Sequence, residues 1–190
     1  MVSPGFDAEE IVQFALEALN GHPEGNLSTL DELPTALYVT DRKGVVTWYN
    51  RACIGFAGRT PVAKRDRWCV AWKLLAGNGA PMPHDQCPMA AAIRERRSIR
   101  GRTAIAERPD GRRVVFQPHP TPLFDASGEF TGALDLLVDI TAAWRRDEFL
   151  AHARRCRTLA RTISDPEGIA AVQRMAEEYE LTAAELGASA

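Results

Sequence analysis

A chain of 190 residues, 45 % hydrophobic and 25 % charged, has room for one ordinary domain with extensions or for two small ones, with a core that needs neither disulfides nor metals. Its net charge of −2 offers no basic face to nucleic acid, and no apolar run approaches the roughly 18 residues of a membrane span. The four cysteines, Cys53, Cys69, Cys87 and Cys156, include no CxxC pair, and the acidic, amphipathic N-terminus is unlike a secretory leader. A cytoplasmic protein with reduced thiols is therefore expected.

In chain order, DAEEIVQFALEALNG (Asp7–Gly21) reads as a helix. Asp7 is its N-cap, Glu10 holds the reciprocal capping-box position, and Asn20-Gly21 is a stop signal. The loop His22–Asn26 and a brief helix in LSTLDEL follow. Two strands come next, Ala36–Asp41 and Val45–Asn50, joined by a hairpin turn at Asp41-Arg42-Lys43-Gly44. Between Arg51 and Gly101 no strand signal stands out. Short helices are expected at Trp68–Leu75 and Cys87–Arg96, with Asp85 as N-cap of the second and Pro88 in its first turn. Three more strands are expected at Arg100–Arg108, Arg112–Leu123 and Phe130–Ile140. From Thr141 the period turns helical: Phe149, Cys156 and Ile163 fall seven apart, and Asp165-Pro166 starts a second helix carrying Ile169, Val172, Ala176 and Tyr179. The basic clusters Arg94–Arg97 and Ala153–Arg157 read as solvated helix faces. The pattern implies an α+β domain, a five-stranded antiparallel sheet with short helices on one face. An N-terminal amphipathic helix and linker (1–26) precede the domain (27–141), and a helical hairpin (142–190) follows it.

Three stretches carry a resemblance: Thr40–Ala52 (TDRKGVVTWYNRA), Asp110–Leu134, and the closing VDIT at Val138–Thr141. Asp41, Gly44, Asn50, Asp139, Ile140 and Thr141 occupy the positions of a PAS domain's first hairpin, first internal helix start and terminal Asp-Ile-Thr. The chain resembles a PAS domain over roughly residues 27–141, and Trp68–Pro88 is similar to one bacterial subset with a WCVxWKL segment before PMPHDxCPMA. The resemblance implies a non-catalytic sensor that holds a small ligand between sheet and helices, or holds none and dimerises. Flanking helices would pass the signal to a second copy or to a signalling partner such as a histidine kinase.

The candidate chemistry is sparse. His84 and Cys87, three apart, with Asp85 between them and Cys69 as a conceivable third donor, fall short of the three or four ligands of a metal site. Cys87, near a helix start, is the candidate redox thiol, since a helix N-terminus lowers a thiol's pKa. Haem-binding PAS proteins hold iron through a His in the helix before the third strand, and Met89–Arg97 has none. Light-sensing relatives carry a GxNCRFLQ-type motif. RDRWCVAWKL keeps a cysteine, Cys69, without the Asn, Arg and Gln that hold a flavin. Trp68 and Trp72 would share a helix face. In the strand Arg112–Leu123, Gln117, His119 and Thr121 form a polar row that faces solvent or an interface, or else lines a ligand cleft, the first being favoured, and Pro118, Pro120 and Pro122 place that strand at an edge or fray its end. No nucleophile elbow, phosphate loop or HExxH is present, and His152 reads as a surface helix residue. The expectation is a non-catalytic sensor with Trp72, Met89, Ile93 and Phe116 lining its cleft. Ile11, Phe14, Phe149, Ile163 and Val172 are its dimer or partner contacts. The alternative is a redox or haem, flavin or metal sensor using Cys69, His84 or Cys87.

Overall fold

A computed structural model describes residues 7–19 and 27–188. The stop signal Asn20-Gly21 and the loop 22–26 lie outside the described residues. The chain divides into two compact units, Met1–Asp139 and Ile140–Ala190.

The first unit opens with α1 (Ala8–Leu19), whose capping box is half formed by the Asp7 amide donating to Glu10 at 3.3 Å. Next come α2 (Leu27–Asp31), β1 (Ala36–Asp41), β2 (Val46–Tyr49) and α3 (Ala52–Ala57). A loop leads to β3 (Lys73–Ala76), β4 (Pro81–Met82), a single 3₁₀ turn at His84–Gln86 and α4 (Pro88–Glu95). The unit closes with β5 (Ala104–Glu107), β6 (Arg113–Pro118), β7 (Thr121–Phe124) and β8 (Phe130–Asp139). All pair antiparallel in the order β2-β1-β8-β6-β5-β3-β4, with β7 also on β8.

The sheet has eight strands rather than five, and the extra ones have clear causes. Trp68–Leu75 is not a helix. Trp68 sits at φ +68°, which a right-handed helix cannot accommodate, and the residues after it add β3 to the free edge of β5, with Lys73 opposite Glu107. Gly77–Gly79 then turns the chain into β4. The expected strand Arg112–Leu123 is divided into β6 and β7, yet both keep one register against β8 up to Leu123. The His119 amide donates to Leu136 at 2.9 Å, so the alternate nitrogens of Pro118, Pro120 and Pro122 face the other side. There β5 pairs only as far as Phe116, and the missing N–H groups cost no ladder bond.

Strand alternation sends side chains to two separate cores. From β1 and β8, Ala36, Tyr38, Ala133 and Leu137 join the core under α3 and α4, with Phe56, Met89, Ile93 and Phe116. Leu37, Val39, Leu134 and Leu136 join the core under α1 and α2, with Val12, Ala15, Leu19 and Leu30. The N-terminal helix is thus part of the sheet unit: its apolar face is already used, with Ile11 packed against that core and Phe14 left exposed.

Two local devices fix the first hairpin and the first helix. At Gly44, φ is +77° and any Cβ would run into the Trp68 ring, so glycine is required on both counts. Asn50 is fully buried. Its Oδ1 accepts from the Leu37 amide at 3.0 Å, and its Nδ2 donates to the carbonyls of Thr35 at 2.9 Å and Leu33 at 3.2 Å. It ties β1 to the segment before it and starts the turn into α3.

The second unit is a hairpin of α5 (Thr141–Ala160) and α6 (Pro166–Ala188). Asp165 caps α6, accepting from the Gly168 amide at 2.8 Å, and Pro166 is its first residue. Ile163 lies in the turn, not on a helix, because α5 ends at Ala160. Among the described residues of this unit, those fully buried are alanines: Ala153, Ala176 and Ala183.

Replacing Asn50 by Ala strands several buried backbone groups at once. At about 1–3 kcal/mol for each unsatisfied group, a loss of about 3 kcal/mol is expected in urea unfolding. A loss under about 1 kcal/mol would mean that Asn50 is not the tie described.

Candidate functional site

The polar centre of the first unit is a cross-strand pair. Tyr38 of β1 stands opposite Asp135 of β8, on the face toward α3 and α4. Both are buried, Asp135 at 2 % exposure. The Tyr38 hydroxyl lies 3.1 Å from Asp135 Oδ2 and 2.9 Å from the carbonyl oxygen of Trp68. Asp135 Oδ1 has no hydrogen-bond partner. Burial pushes the Asp135 carboxyl up to about 8 and the Tyr38 hydroxyl well above its ordinary range.

Around this pair stand three thiols, also held up chiefly by burial: Cys53 and Cys87 to about 12, and Cys69 still higher. Cys87, not Asp85, is the N-cap of α4; its Sγ accepts from the Ala90 amide at 3.5 Å and lies 3.7 Å from the Trp68 carbonyl. The activated thiol expected of Cys87 is therefore corrected. The helix end is present, but loss of solvent outweighs it and the proton stays on sulfur.

The other sequence candidates separate. Met89, Ile93 and Phe116 do meet in one cluster, with Phe116 edge-on to Phe56 at 5.1 Å between ring centroids. Trp72 does not join them. The chain from Trp68 to Trp72 runs through bends instead of a helix, so the two rings part: Trp68 packs against the core and Trp72 is 53 % exposed. His84 lies outside that core, its Nε2 donating to the Ala71 carbonyl at 3.1 Å. Among the described residues no group of three or more His, Cys, Asp or Glu is placed to hold a metal ion. The core under α3 and α4 is filled by packed apolar side chains around the Tyr38–Asp135 pair.

The polar row on β6–β7 meets α1. His119 Nδ1 is 3.4 Å from Glu9, and Arg100 pairs with Glu9 at 2.5 Å while donating to the Thr121 hydroxyl at 2.9 Å. The Arg100 guanidinium is the main influence holding the Glu9 carboxyl below its usual value. The row's expected interface is thus with the chain's own N-terminal helix. At one end of the sheet a pocket of about 340 Å³ is lined by Thr35, Ala36, Phe56, Arg108, Leu137 and Asp139. Its wall includes the last residues of β8.

Sequence reasoning passed over Asp135 and Tyr38. The signal was there: ALDLLV places one acid inside an apolar strand, and a buried acid needs a partner.

The family model described as PAS fold matches residues 30–145. No curated protein matches the chain. Among solved structures, the light-state dimer of the fungal blue-light photoreceptor Vivid has a TM-score of 0.46 at 18 % identity, covering 73 % of this chain and 99 % of that one. The LOV domain from the Erythrobacter litoralis EL346 blue-light activated histidine kinase gives 0.44 at 23 %, covering 57 % and 98 %. The PAS domain of an HTR-like protein from Haloarcula marismortui gives 0.42 at 16 %, covering 70 % and 94 %. At such scores none of these likenesses bears on function.

In folded protein, iodoacetamide near pH 8 is expected to modify Cys156, the partly exposed thiol, well before Cys53, Cys69 or Cys87. Peptide mapping by mass spectrometry reads the order. Early labelling of Cys87 would contradict its burial.

Proposed function

We propose, from the premise that this chain belongs to the PAS family, that it is a non-catalytic cytoplasmic sensor that signals by helix-mediated self-association. The observation that carries this reading is the division of charge in the α5–α6 hairpin. Helix α5 bears Arg145, Arg146, Arg154, Arg155 and Arg157 against Asp147 and Glu148. Helix α6 bears Glu167, Glu177, Glu178, Glu180 and Glu185 against Arg174. Within the hairpin, Arg157 meets Glu180 at 2.7 Å, while Arg154, Arg155, Glu177 and Glu178 are exposed. Exposed apolar side chains lie on the same helices: Trp144 and Leu159 on α5, Met175 and Leu181 on α6.

A second copy related by a two-fold axis would supply an acidic α6 to each basic α5, and the reverse. It would also cover apolar area that a hairpin built on three alanines leaves open. Of the contacts named from sequence, Phe149 stacks on Tyr179 at 6.1 Å within the hairpin and Val172 is half-buried on α6. This reading adds the exposed Trp144, Leu159, Met175 and Leu181 as contacts.

The input side of the reading rests on connectivity. β8 ends at Asp139 and α5 begins at Thr141, so one residue joins them. Leu137 and Asp139 also line the 340 Å³ pocket. A small ligand there would touch the strand end from which α5 starts. It shifts the helices only insofar as it prefers one of their packings.

Sedimentation of the full chain tests the association. A dimer at micromolar concentration is expected, weakened in about 1 M salt, where the screening length is about 3 Å. The double variant Arg154→Glu/Arg155→Glu should be monomeric, and mixing it with Glu177→Arg/Glu178→Arg should restore a heterodimer. A monomeric wild-type chain would defeat the reading, as would charge-reversed variants that dimerise unchanged.

A further inference from the structure

We propose that Asp135 is an internal proton-binding site through which the sheet unit responds to pH, because the single hydroxyl proton of Tyr38 can serve Trp68 or Asp135 but not both. This rests on the reading of the chain as a sensor and names one input for it.

A tyrosine hydroxyl carries one hydrogen and can also accept. Two oxygen acceptors stand within its reach, the Trp68 carbonyl at 2.9 Å and Asp135 Oδ2 at 3.1 Å, with the weaker Cys69 thiol beside them. With Asp135 protonated, its own O–H donates to Tyr38 and Tyr38 donates to Trp68, so the chain of bonds is complete. With Asp135 ionised, the Tyr38 proton is drawn to the carboxylate. The Trp68 carbonyl then keeps only the weak Cys87 S–H at 3.7 Å. The ionised carboxylate would have two oxygens to satisfy, and Oδ1 has no partner even in the present arrangement. Loss of the proton therefore loosens the backbone at Trp68, already in the left-handed region at φ +68°, and the start of α4 beside it.

Among the groups that meet at this centre, Asp135 is the one brought toward neutrality. Facing it are Tyr38 from β1, Cys53 from α3, Cys69 from the loop before β3 and Cys87 at the start of α4, all held protonated by burial. The His119 amide and the more distant Arg100 charge, itself paired with Glu9, pull the other way and leave the midpoint at about 8. A carboxyl raised in this way binds its proton more tightly in the folded chain than in the unfolded one. Its contribution favours the fold at low pH and is lost as pH rises through about 8.

The test is a pH titration of the full chain by NMR, following the Asp135 carboxyl carbon and the amides of Trp68, Cys69 and Ala90. A shared midpoint near 8 is expected, absent from the amides of Asp135→Asn. A carboxyl midpoint below about 5, close to the ordinary Asp value, overturns the proposal. So do amide titrations that persist in Asp135→Asn. Should that variant fail to fold, Tyr38→Phe decides. Removing the hydroxyl that lowers the Asp135 midpoint should raise it and uncouple Trp68, and an unchanged profile overturns the proposal. The midpoint belongs to the sheet unit and is read whether or not the chain dimerises. Its failure is therefore distinct from failure of the association measured by sedimentation.

Discussion

The first unit depends on one constraint: β1 and β8 form a ladder buried on both faces. Helices α3 and α4 cover one side, α1 and α2 the other, so neither strand has a solvent face. Almost every side chain on the pair must then be apolar, and the six-residue register from Ala36–Leu137 to Asp41–Gly132 admits no slip. A one-residue shift would exchange the two cores. The pair also sets how polar groups are tolerated. Tyr38 and Asp135 survive there because they are each other's neighbours, and because one of the two carries a proton that in water it would lose.

The same constraint explains the shape of the rest. Asn50 brings the segment before β1 to β1's own end, so that a buried side-chain amide completes backbone bonds that no strand could reach. The prolines of β6–β7 are accommodated because the ladder toward β8 uses only alternate nitrogens. On the α1 face, the Glu9–Arg100–Thr121 chain and His119 close the rim, joining the N-terminal helix to the sheet by charge where its apolar stripe ends.

Much of this was legible in the residues. The Asp41–Gly44 turn, the α5–α6 restart at Asp165-Pro166 and β1 at Ala36–Asp41 each carry a local chemical cause, and all stand where the sequence puts them. What the sequence hid depends on contacts distant in the chain. β3 is a strand because β5 offers an edge, a fact absent from WCVAWKLL itself. Cys87 keeps its proton because of what surrounds it, although its position at a helix start argues for the reverse. Asp135 was overlooked since an acid in a strand usually means a solvent face. It is the layer of α3 and α4 over that face that makes it an interior group.

Ile140 alone separates β8 from α5, and this joint has a geometric consequence. A helix turns by about 100° per residue. Residues added or removed at that joint would act as a phase setting. One extra residue would swing the basic and apolar stripes of α5 through more than a quarter turn, whereas seven would return them nearly to their starting azimuth. The length of chain at Ile140 is therefore information in itself: it sets where in the helical repeat α5 begins, independently of what any residue there touches.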